Sequence, residues 1–345
     1  MSIAPEKSAT RSWRIVAGLG LVVALAAACA PSPSPAPPEM PPPAEPALAP
    51  PLVRPPEGTV VPIGTAPEGA VADPVTHLVA VGLREPDRLA LIVEKTGKTV
   101  ATTPLPGHLR HLQLAAPGGP VLVPGENSDQ LFTVALPSGT VTSAVRTGSS
   151  PHDATQAANG LVFAANENGR DVAVIRDARV VHTFTDVTQP AGLAATGDLV
   201  GLVDVRQNDL TLYDTATLTR VARLPAGDGP THVVADRRGH LDVIDTRGGA
   251  LLTYDPAGRR QLSRLDLPGT PYGVTYDDIR DRLWVTLTAT NELVGIDLTA
   301  AEPRVITRIP TVRQPNTVTV DITTGTLAVT GTTDGVLQLL TPSRP

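Results

Sequence analysis

The chain has 345 residues, 18% of them charged, and a formal net charge of −6 at pH 7. Only 3% of its residues are aromatic. An acidic chain with few rings lacks the basic face and stacking side chains of nucleic-acid binding, and the scarce rings also argue against a carbohydrate platform. Its single cysteine, Cys29, excludes an intramolecular disulfide.

The first 28 residues have the layout of an export signal. Three basic residues precede an apolar run over residues 15–28, which is shorter than the ~20 residues of a membrane-spanning helix. The run ends in three alanines directly before Cys29, as in a lipoprotein signal. We expect residues 1–28 to be removed and Cys29 to be lipidated, so that the chain is extracytoplasmic and anchored to a bacterial membrane. Cleavage without lipidation is the alternative.

Residues 29–57 are predicted to be a tether. Residues 31–56 read PSPSPAPPEMPPPAEPALAPPLVRPP. Proline fixes φ and lacks the N–H donor, so neither helix nor sheet is expected here. An extended, polyproline II-like spacer of about 3 Å per residue would hold the following domain off the membrane. A ligand for a proline-binding module is the alternative interpretation.

Residues 58–345 contain an internal repeat of about 41 residues. Each unit starts with a proline or its equivalent and continues as short apolar runs separated by Gly- and Asp-rich turns. In the fifth unit the runs are THVVAD, LDVID, ALLTYD and QLSRLDL, which are typical of β-strands. A period of this size with four strands indicates a propeller blade. The seven units start at Pro67, Leu109, Pro151, Pro190, Pro230, Pro271 and Pro315.

The two ends of the repeat region complement each other. The seventh unit stops after its third strand, VLQLLTP, and GTVVPIGTAPEGAVAD at Gly58 aligns with RVARLPAGDGPTHVVAD, a fourth strand and the next start. Residues 58–65 are therefore predicted to complete the last blade, which removes a free sheet edge. The fold class predicted is all-β: a seven-bladed β-propeller of four-stranded blades, with the last blade closed by the N-terminal strand.

Two segments carry a family resemblance. LVFAANENGRDVAVI from Leu161 and LTLYDTATLTRVARLPAGDGPTHVVAD from Leu210, with the repeated Pro-x-Gly/His before the first strand of a blade, resemble the YVTN family of β-propeller repeats. The resemblance covers residues 58–345 and implies the propeller fold. It implies no single function, because that family includes surface proteins, binding proteins and domains of redox enzymes.

Candidate site residues come from positions expected around the mouth of the central channel, where loops of all blades meet. One ring lies two residues after each repeat start, a second lies one residue after it, and a third lies at the ends of the second strands. The first ring is Gly69, His111, Asp153, Gly192, His232, Gly273 and Thr317; the second is Glu68, Arg110, His152, Ala191, Thr231, Tyr272 and Asn316; the third is Leu83, Glu126, Asn166, Asp204, Thr246, Thr288 and Thr332.

Three of the seven histidines fall within the first two rings. Imidazole and carboxylate groups suit zinc or manganese, and histidine is a natural general base. No cofactor is predicted, although a divalent metal is an open alternative, and hydrogen bonding between blades is the competing role. The ligand-binding candidates are His111, His152, Asp153, His232, Glu126, Asn166, Asp204 and Tyr272, and the metal candidates among them are His111, His152, Asp153 and His232.

The sequence favours a surface-tethered, non-enzymatic binding or interaction propeller, monomeric and attached to the membrane through its lipid anchor. Its protein or small-molecule partner is not identified by any motif, and the chain carries no phosphate-binding loop or nucleophile elbow. The alternative is a metal- or His-dependent hydrolase or lyase, similar to the lactonases and streptogramin lyases. The two hypotheses differ on whether His111, His152 and Asp153 converge within metal-ligand distance.

Overall fold

The computed structural model describes residues 41–300 and 302–342, and β-strands make up nearly all of their regular structure. The only helix within these ranges is a 3-10 turn, Glu126–Ser128. No helix there has the length and apolarity that a membrane span requires. The strands are β1 (Thr59–Pro62), β2 (Ala70–Asp73), β3 (Leu78–Leu83), β4 (Arg88–Val93), β5 (Lys98–Pro104), β6 (Gln113–Leu114), β7 (Val121–Gly125), β8 (Gln130–Ala135), β9 (Thr140–Arg146), β10 (Pro151–Gln156), β11 (Val162–Asn166), β12 (Asp171–Arg176), β13 (Arg179–Phe184), β14 (Pro190–Thr196), β15 (Leu199–Asp204), β16 (Asp209–Asp214), β17 (Thr219–Pro225), β18 (Pro230–Ala235), β19 (Leu241–Asp245), β20 (Ala250–Asp255), β21 (Arg260–Asp266), β22 (Pro271–Asp277), β23 (Arg282–Leu287), β24 (Glu292–Asp297), β25 (Arg304–Pro310), β26 (Pro315–Val320), β27 (Leu327–Gly331) and β28 (Val336–Leu340).

These strands form seven antiparallel sheets of four strands each. Six sheets use strands that are consecutive in the chain, beginning with β2–β5 as blade 1, and the seventh has the order β1-β28-β27-β26. Thr59 pairs with Leu339 and Pro62 with Val336, so the N-terminal strand completes blade 7. The predicted seven-bladed propeller and its closure are therefore confirmed. Within each blade the strands are called a to d from the centre outwards.

Apolar side chains between neighbouring sheets hold the ring together. In blade 1, strands b and c are almost entirely buried, whereas strand d has only exposed and half-buried residues. At the closure, Val81 and Ile92 of blade 1 pack in one cluster with Leu337 and Leu339 of blade 7. Because one blade cannot cover its own two faces, each depends on its neighbours for burial.

The predicted export signal and Cys29 lie outside the described residues, and so does the first part of the tether. Residues 41–57 contain no helix or strand, as their proline content predicts. They do not form a free spacer, however, because Ala44 and Ala49 are buried and the Ala49 N–H donates to Gln314 Oε1 at 2.9 Å. This part of the predicted tether therefore lies against the propeller.

Gln338 is a polar link at the closure. It is fully buried in β28. Its Oε1 accepts a hydrogen bond from the Val312 N–H at 3.0 Å, and its Nε2 donates to the carbonyls of Glu57 at 2.8 Å and Pro310 at 3.0 Å. One side chain thus joins the segment before β1, the end of blade 6 and blade 7.

We expect Gln338→Met to lower the free energy of unfolding by about 2–3 kcal/mol, because the Val312 N–H loses its acceptor in a buried place and the carbonyls of Glu57 and Pro310 each lose one hydrogen bond. Urea unfolding followed by circular dichroism would measure the change. Gln261→Met is the matched control, since Gln261 is exposed on strand d of blade 5 and should change stability by less than about 0.5 kcal/mol. Equal stability of both variants and the parent would contradict this role for Gln338.

Candidate functional site at the channel mouth

The first predicted ring lines the central channel. All seven of its residues border a cavity of about 310 Å³ enclosed by the a strands. A second, smaller cavity of about 30 Å³ lies at the mouth, and five residues of the second ring border it: Arg110, His152, Ala191, Thr231 and Tyr272. His111 and His232 border both cavities. Their imidazole rings therefore form the boundary between the channel and its mouth.

The third predicted ring needs a correction of one residue at several positions. The repeat start pairs with the last residue of strand b, which is Gly125 in blade 2, Asn166 in blade 3 and Asp204 in blade 4. The positions equivalent to Glu126 are therefore Glu167 and Val205. The two paired positions are 16, 15 and 14 residues apart in these blades. Because this separation varies between blades, the register of strand b could not be derived from the repeat spacing. A slip of one residue moves a side chain to the opposite face of the strand.

Asp204 and Asn166 hold the loops of the mouth in place. The buried Asp204 carboxylate accepts hydrogen bonds from the N–H groups of Thr188 at 2.6 Å and Gln207 at 3.0 Å. Asn166 donates from Nδ2 to the Thr147 carbonyl at 3.0 Å and accepts from the Thr147 hydroxyl at 2.8 Å. Buried loop N–H and carbonyl groups need such partners. Neither side chain borders either of the two cavities described above.

Asp153 is buried below the imidazole rings and connects three blades. Its Oδ2 accepts the Leu193 N–H of blade 4 at 2.8 Å, and its Oδ1 accepts Gln113 Nε2 of blade 2 at 2.9 Å. Burial raises the pKa of Asp153 to about 6, although these hydrogen bonds oppose the rise. The geometry gives Asp153 a structural role between blades.

Aromatic rings from four blades converge at the mouth. The ring centroids of His111 and His152 are 4.5 Å apart, and those of His111 and His232 are also 4.5 Å apart and nearly parallel. Tyr272 meets His232 edge-on at 4.6 Å. Burial, together with the charge of His152, lowers the pKa of His111 well below its ordinary value and that of His232 to about 3. Both imidazoles are therefore neutral at pH 7.

His152 has the opposite protonation state. Burial alone would lower its pKa, but its Nδ1 lies 3.2 Å from Glu126 Oε1 and 3.1 Å from Glu167 Oε2. These two carboxylates raise the pKa of His152 to about 9. Burial would raise the pKa of Glu167, but its hydrogen bond to His152 brings it down to about 2. A protonated imidazole between two carboxylates thus stands beside two neutral ones.

Arginines complete the charge balance of the mouth. Arg110 Nη1 donates to Glu68 Oε1 at 3.0 Å, and its Nε lies 3.4 Å from Glu126 Oε1. Arg84 also pairs with Glu68. Three carboxylates, Glu68, Glu126 and Glu167, therefore face two guanidinium groups and one imidazolium. Such pairing offsets the high cost of burying isolated charges.

The residues able to hold a metal ion here differ from the predicted set. Glu126, His152 and Glu167 each offer a ligand atom within 4.8 Å of the others. Among the predicted metal candidates only His152 belongs to this group. Glu167 was not predicted from the sequence, although it follows Asn166 directly and the corrected register would have identified it.

We expect the free energy of unfolding to depend on pH through the protonation of His152. Its pKa is about 9 in the folded protein against 6.5 ordinarily, so the stabilisation is complete below pH 6.5 and is lost as the pH rises through 9. The loss of stability in His152→Gln, measured by urea unfolding, should therefore shrink by on the order of 2 kcal/mol between pH 7.5 and 9.5. His232→Gln is the control, because His232 is neutral throughout this range. An unchanged difference for His152→Gln would contradict the proposed ion pairs.

No protein-family model and no curated protein sequence matches this chain. Solved structures that resemble it include hydrazine synthase of Kuenenia stuttgartiensis, with a TM-score of 0.70 and 13% identity over 83% of this chain and 99% of that one. A streptogramin B lyase has a TM-score of 0.69 and 14% identity over 82% and 97% of the two chains. A catalytically inactive virginiamycin B lyase from Staphylococcus aureus with quinupristin has values of 0.68 and 15% over 82% and 99%. These similarities show the propeller fold.

Proposed function

We propose that this chain is a surface-tethered binding propeller that holds a ligand at its channel mouth without converting it. The supporting observation is the charge balance of the mouth, in which Arg110 pairs with Glu68 and His152 pairs with Glu126 and Glu167. The neutral rings of His111, His232 and Tyr272 lie beside this network. Paired charges that are held in place, together with neutral rings, suit a site that recognises an organic ligand by its shape and by hydrogen bonds.

The location of the protein is part of the proposal. Removal of residues 1–28 and lipidation of Cys29 would attach the domain to the membrane on its extracytoplasmic side, and the basic, apolar and small residues before Cys29 support this processing. A monomer would suffice, because all seven blades close within one chain.

Site-directed photo-crosslinking in intact cells tests whether the mouth binds a ligand. Asp228 is exposed on the loop that enters blade 5 at the mouth, and Val181 is exposed on the outer strand of blade 3. We expect a photoreactive residue at Asp228 to give a discrete adduct in mass spectrometry and the same residue at Val181 to give none. Equal labelling from both positions, or none from Asp228, would contradict binding at the mouth.

A hydrolase or lyase is the second candidate function. The observation that favours it is the contrast between protonated His152 and neutral His111, whose ring centroids are 4.5 Å apart. One could donate a proton while the other accepts one, which is the requirement of general acid–base catalysis. In a metal-dependent variant, Glu126, His152 and Glu167 would hold a divalent ion, for which carboxylate and imidazole are suitable ligands.

Turnover and metal content separate the two candidates. We expect the untagged mature chain to leave lactones and quinupristin intact and to bring no bound metal through purification, as binding alone requires. Turnover that is lost in His152→Ala but kept in His182→Ala, whose imidazole lies on the outer strand of blade 3, would establish the enzymatic alternative. Metal near one equivalent that is lost only in His152→Ala would establish the metal-dependent form.

A further inference from the structure

Residues 41–54 cross the mouth from blade 4 to blade 6 and the loop that leads into blade 7, and we call this segment the strap. Polar side chains of the propeller bind it along its length. Its carbonyls accept hydrogen bonds from Arg206 and Arg247 near one end and from Asn291 near the other, and two alanine N–H groups donate to side chains. The bonds are Arg206 Nη1 to the Pro41 carbonyl at 2.9 Å, Arg247 to the Pro42 carbonyl, Ala47 N–H to Thr288 Oγ1 at 2.9 Å, Gln314 Nε2 to the Ala47 carbonyl at 2.9 Å, Ala49 N–H to Gln314 Oε1 at 2.9 Å, Arg313 Nε to the Ala49 carbonyl at 3.3 Å, and Asn291 Nδ2 to the Pro50 carbonyl at 2.9 Å.

The strap suits this surface because proline residues have carbonyl acceptors but no N–H donors. The propeller loops supply the matching donors from arginine, asparagine and glutamine side chains. A polyproline-like segment is also extended before it binds, so little conformational freedom is lost. The strap therefore contacts the propeller as a bound proline-rich peptide would.

Small side chains set the depth of the strap. Ala44 is 8% exposed and lies so close to Gly229 that a Cβ added at Gly229 would be 2.8 Å from the Ala44 Cβ. Ala49 is 2% exposed. Leu48, by contrast, is 89% exposed and faces away from the propeller. The surface therefore selects small residues at two positions and accepts larger ones between them.

Glu45 brings a carboxylate to the charged network. Residues 43–45 border the mouth cavity together with Arg110, His152 and Tyr272. Burial and the neighbouring carboxylates Glu167 and Glu68 raise the pKa of Glu45, and the charges of Arg110 and His152 oppose the rise. Glu45 is the only acidic residue of the strap. Its position places one carboxylate of an extended peptide above the cations of the mouth.

We infer that the channel mouth is a binding site for an extended proline-rich peptide with one carboxylate side chain, and that the strap occupies this site within its own chain. The inference rests on the proposed binding function and names its ligand class. The partner is a protein segment with the same chemistry: small residues at the positions of Ala44 and Ala49, and an acidic residue beside the first of them.

The strap is covalently linked to the propeller, and a partner peptide must compete with it for the channel mouth. Four residues separate Arg54 from Thr59, where β1, the closing strand of blade 7, begins. A segment held by so short a linker has an effective concentration in the millimolar range. A partner peptide therefore competes with the strap, and its apparent affinity is lowered until the strap is displaced or removed.

Fluorescence anisotropy with a labelled peptide of sequence PPPAEPALAPPLVR, residues 41–54, tests the inference. The chain that begins at residue 58 keeps all twenty-eight strands, including β1, and a cooperative thermal transition would verify its fold. We expect saturable binding to this chain and binding at least ~10-fold weaker to the chain that begins at residue 30.

Peptide variants test the geometry. Ala44→Leu should weaken binding by at least ~10-fold, because the added atoms would meet Gly229. Glu45→Gln should change it by a smaller factor that disappears at high salt, since charges of both signs face this carboxylate. Leu48→Ala is the matched control and should bind as the parent does, since Leu48 is exposed. Equal binding of all four peptides would overturn the inferred recognition.

A second route avoids the truncated chain. Ala44→Leu placed within the chain that begins at residue 30 should release the strap, and the parent peptide should then bind this variant more tightly than it binds the unmodified chain. No peptide binding by either altered protein, both being folded, would overturn the inference.

The adduct at Asp228 distinguishes this failure from failure of the proposed function. If the adduct still formed without peptide binding, only the assignment of the ligand as a proline-rich peptide would be wrong. If neither the adduct nor peptide binding were observed, the binding function would be rejected too.

Discussion

The pairing of β1 with β28 is the constraint on which the rest of the structure depends. These two strands come from opposite ends of the propeller and close blade 7. Closure with seven blades determines how near the inner strands approach one another. His111 and His232 belong to blades 2 and 5, which are not neighbours, and yet their rings stack at 4.5 Å. The site exists because the ring is both closed and narrow.

Narrowness in turn dictates the electrostatics of the mouth. Side chains that meet at the centre lose contact with water, and each ionisable group must either become neutral or acquire a partner of opposite charge. His111 and His232 take the first course, and His152 takes the second through Glu126 and Glu167. Removing one partner from such a network leaves an unpaired buried charge, which is more damaging than the loss of a surface ion pair.

The architecture could be predicted well from the sequence because the same blade-sized unit occurs seven times in it. Seven repeat starts and a detached fourth strand were sufficient to derive the number of blades and their closure, and the rings that contain His111, His152 and His232 followed from the same spacing. The register of strand b did not follow, because the hairpins that precede Asn166 and Asp204 differ in length. Glu167 was missed for that reason.

The position of the strap was beyond sequence reasoning for a different cause. Proline content correctly predicts that residues 41–57 form neither helix nor strand, but docking depends on donors that lie far apart in the chain. Arg206, Arg247, Asn291 and Gln314 come together only after the blades have closed. The composition of residues 41–57 therefore gives no information about the hydrogen-bond donors that the propeller loops present to them.

The strap also gives the molecule a defined response to mechanical tension. A pull on the chain before Pro41 would load the Arg206 bond first, then Arg247, then Thr288 and Gln314, because the bonds follow one another along the segment. Bonds loaded one after another yield at a lower force than bonds that share a load. The strap would therefore peel from the mouth before any force reached β1, and the channel would be uncovered while the ring stayed closed.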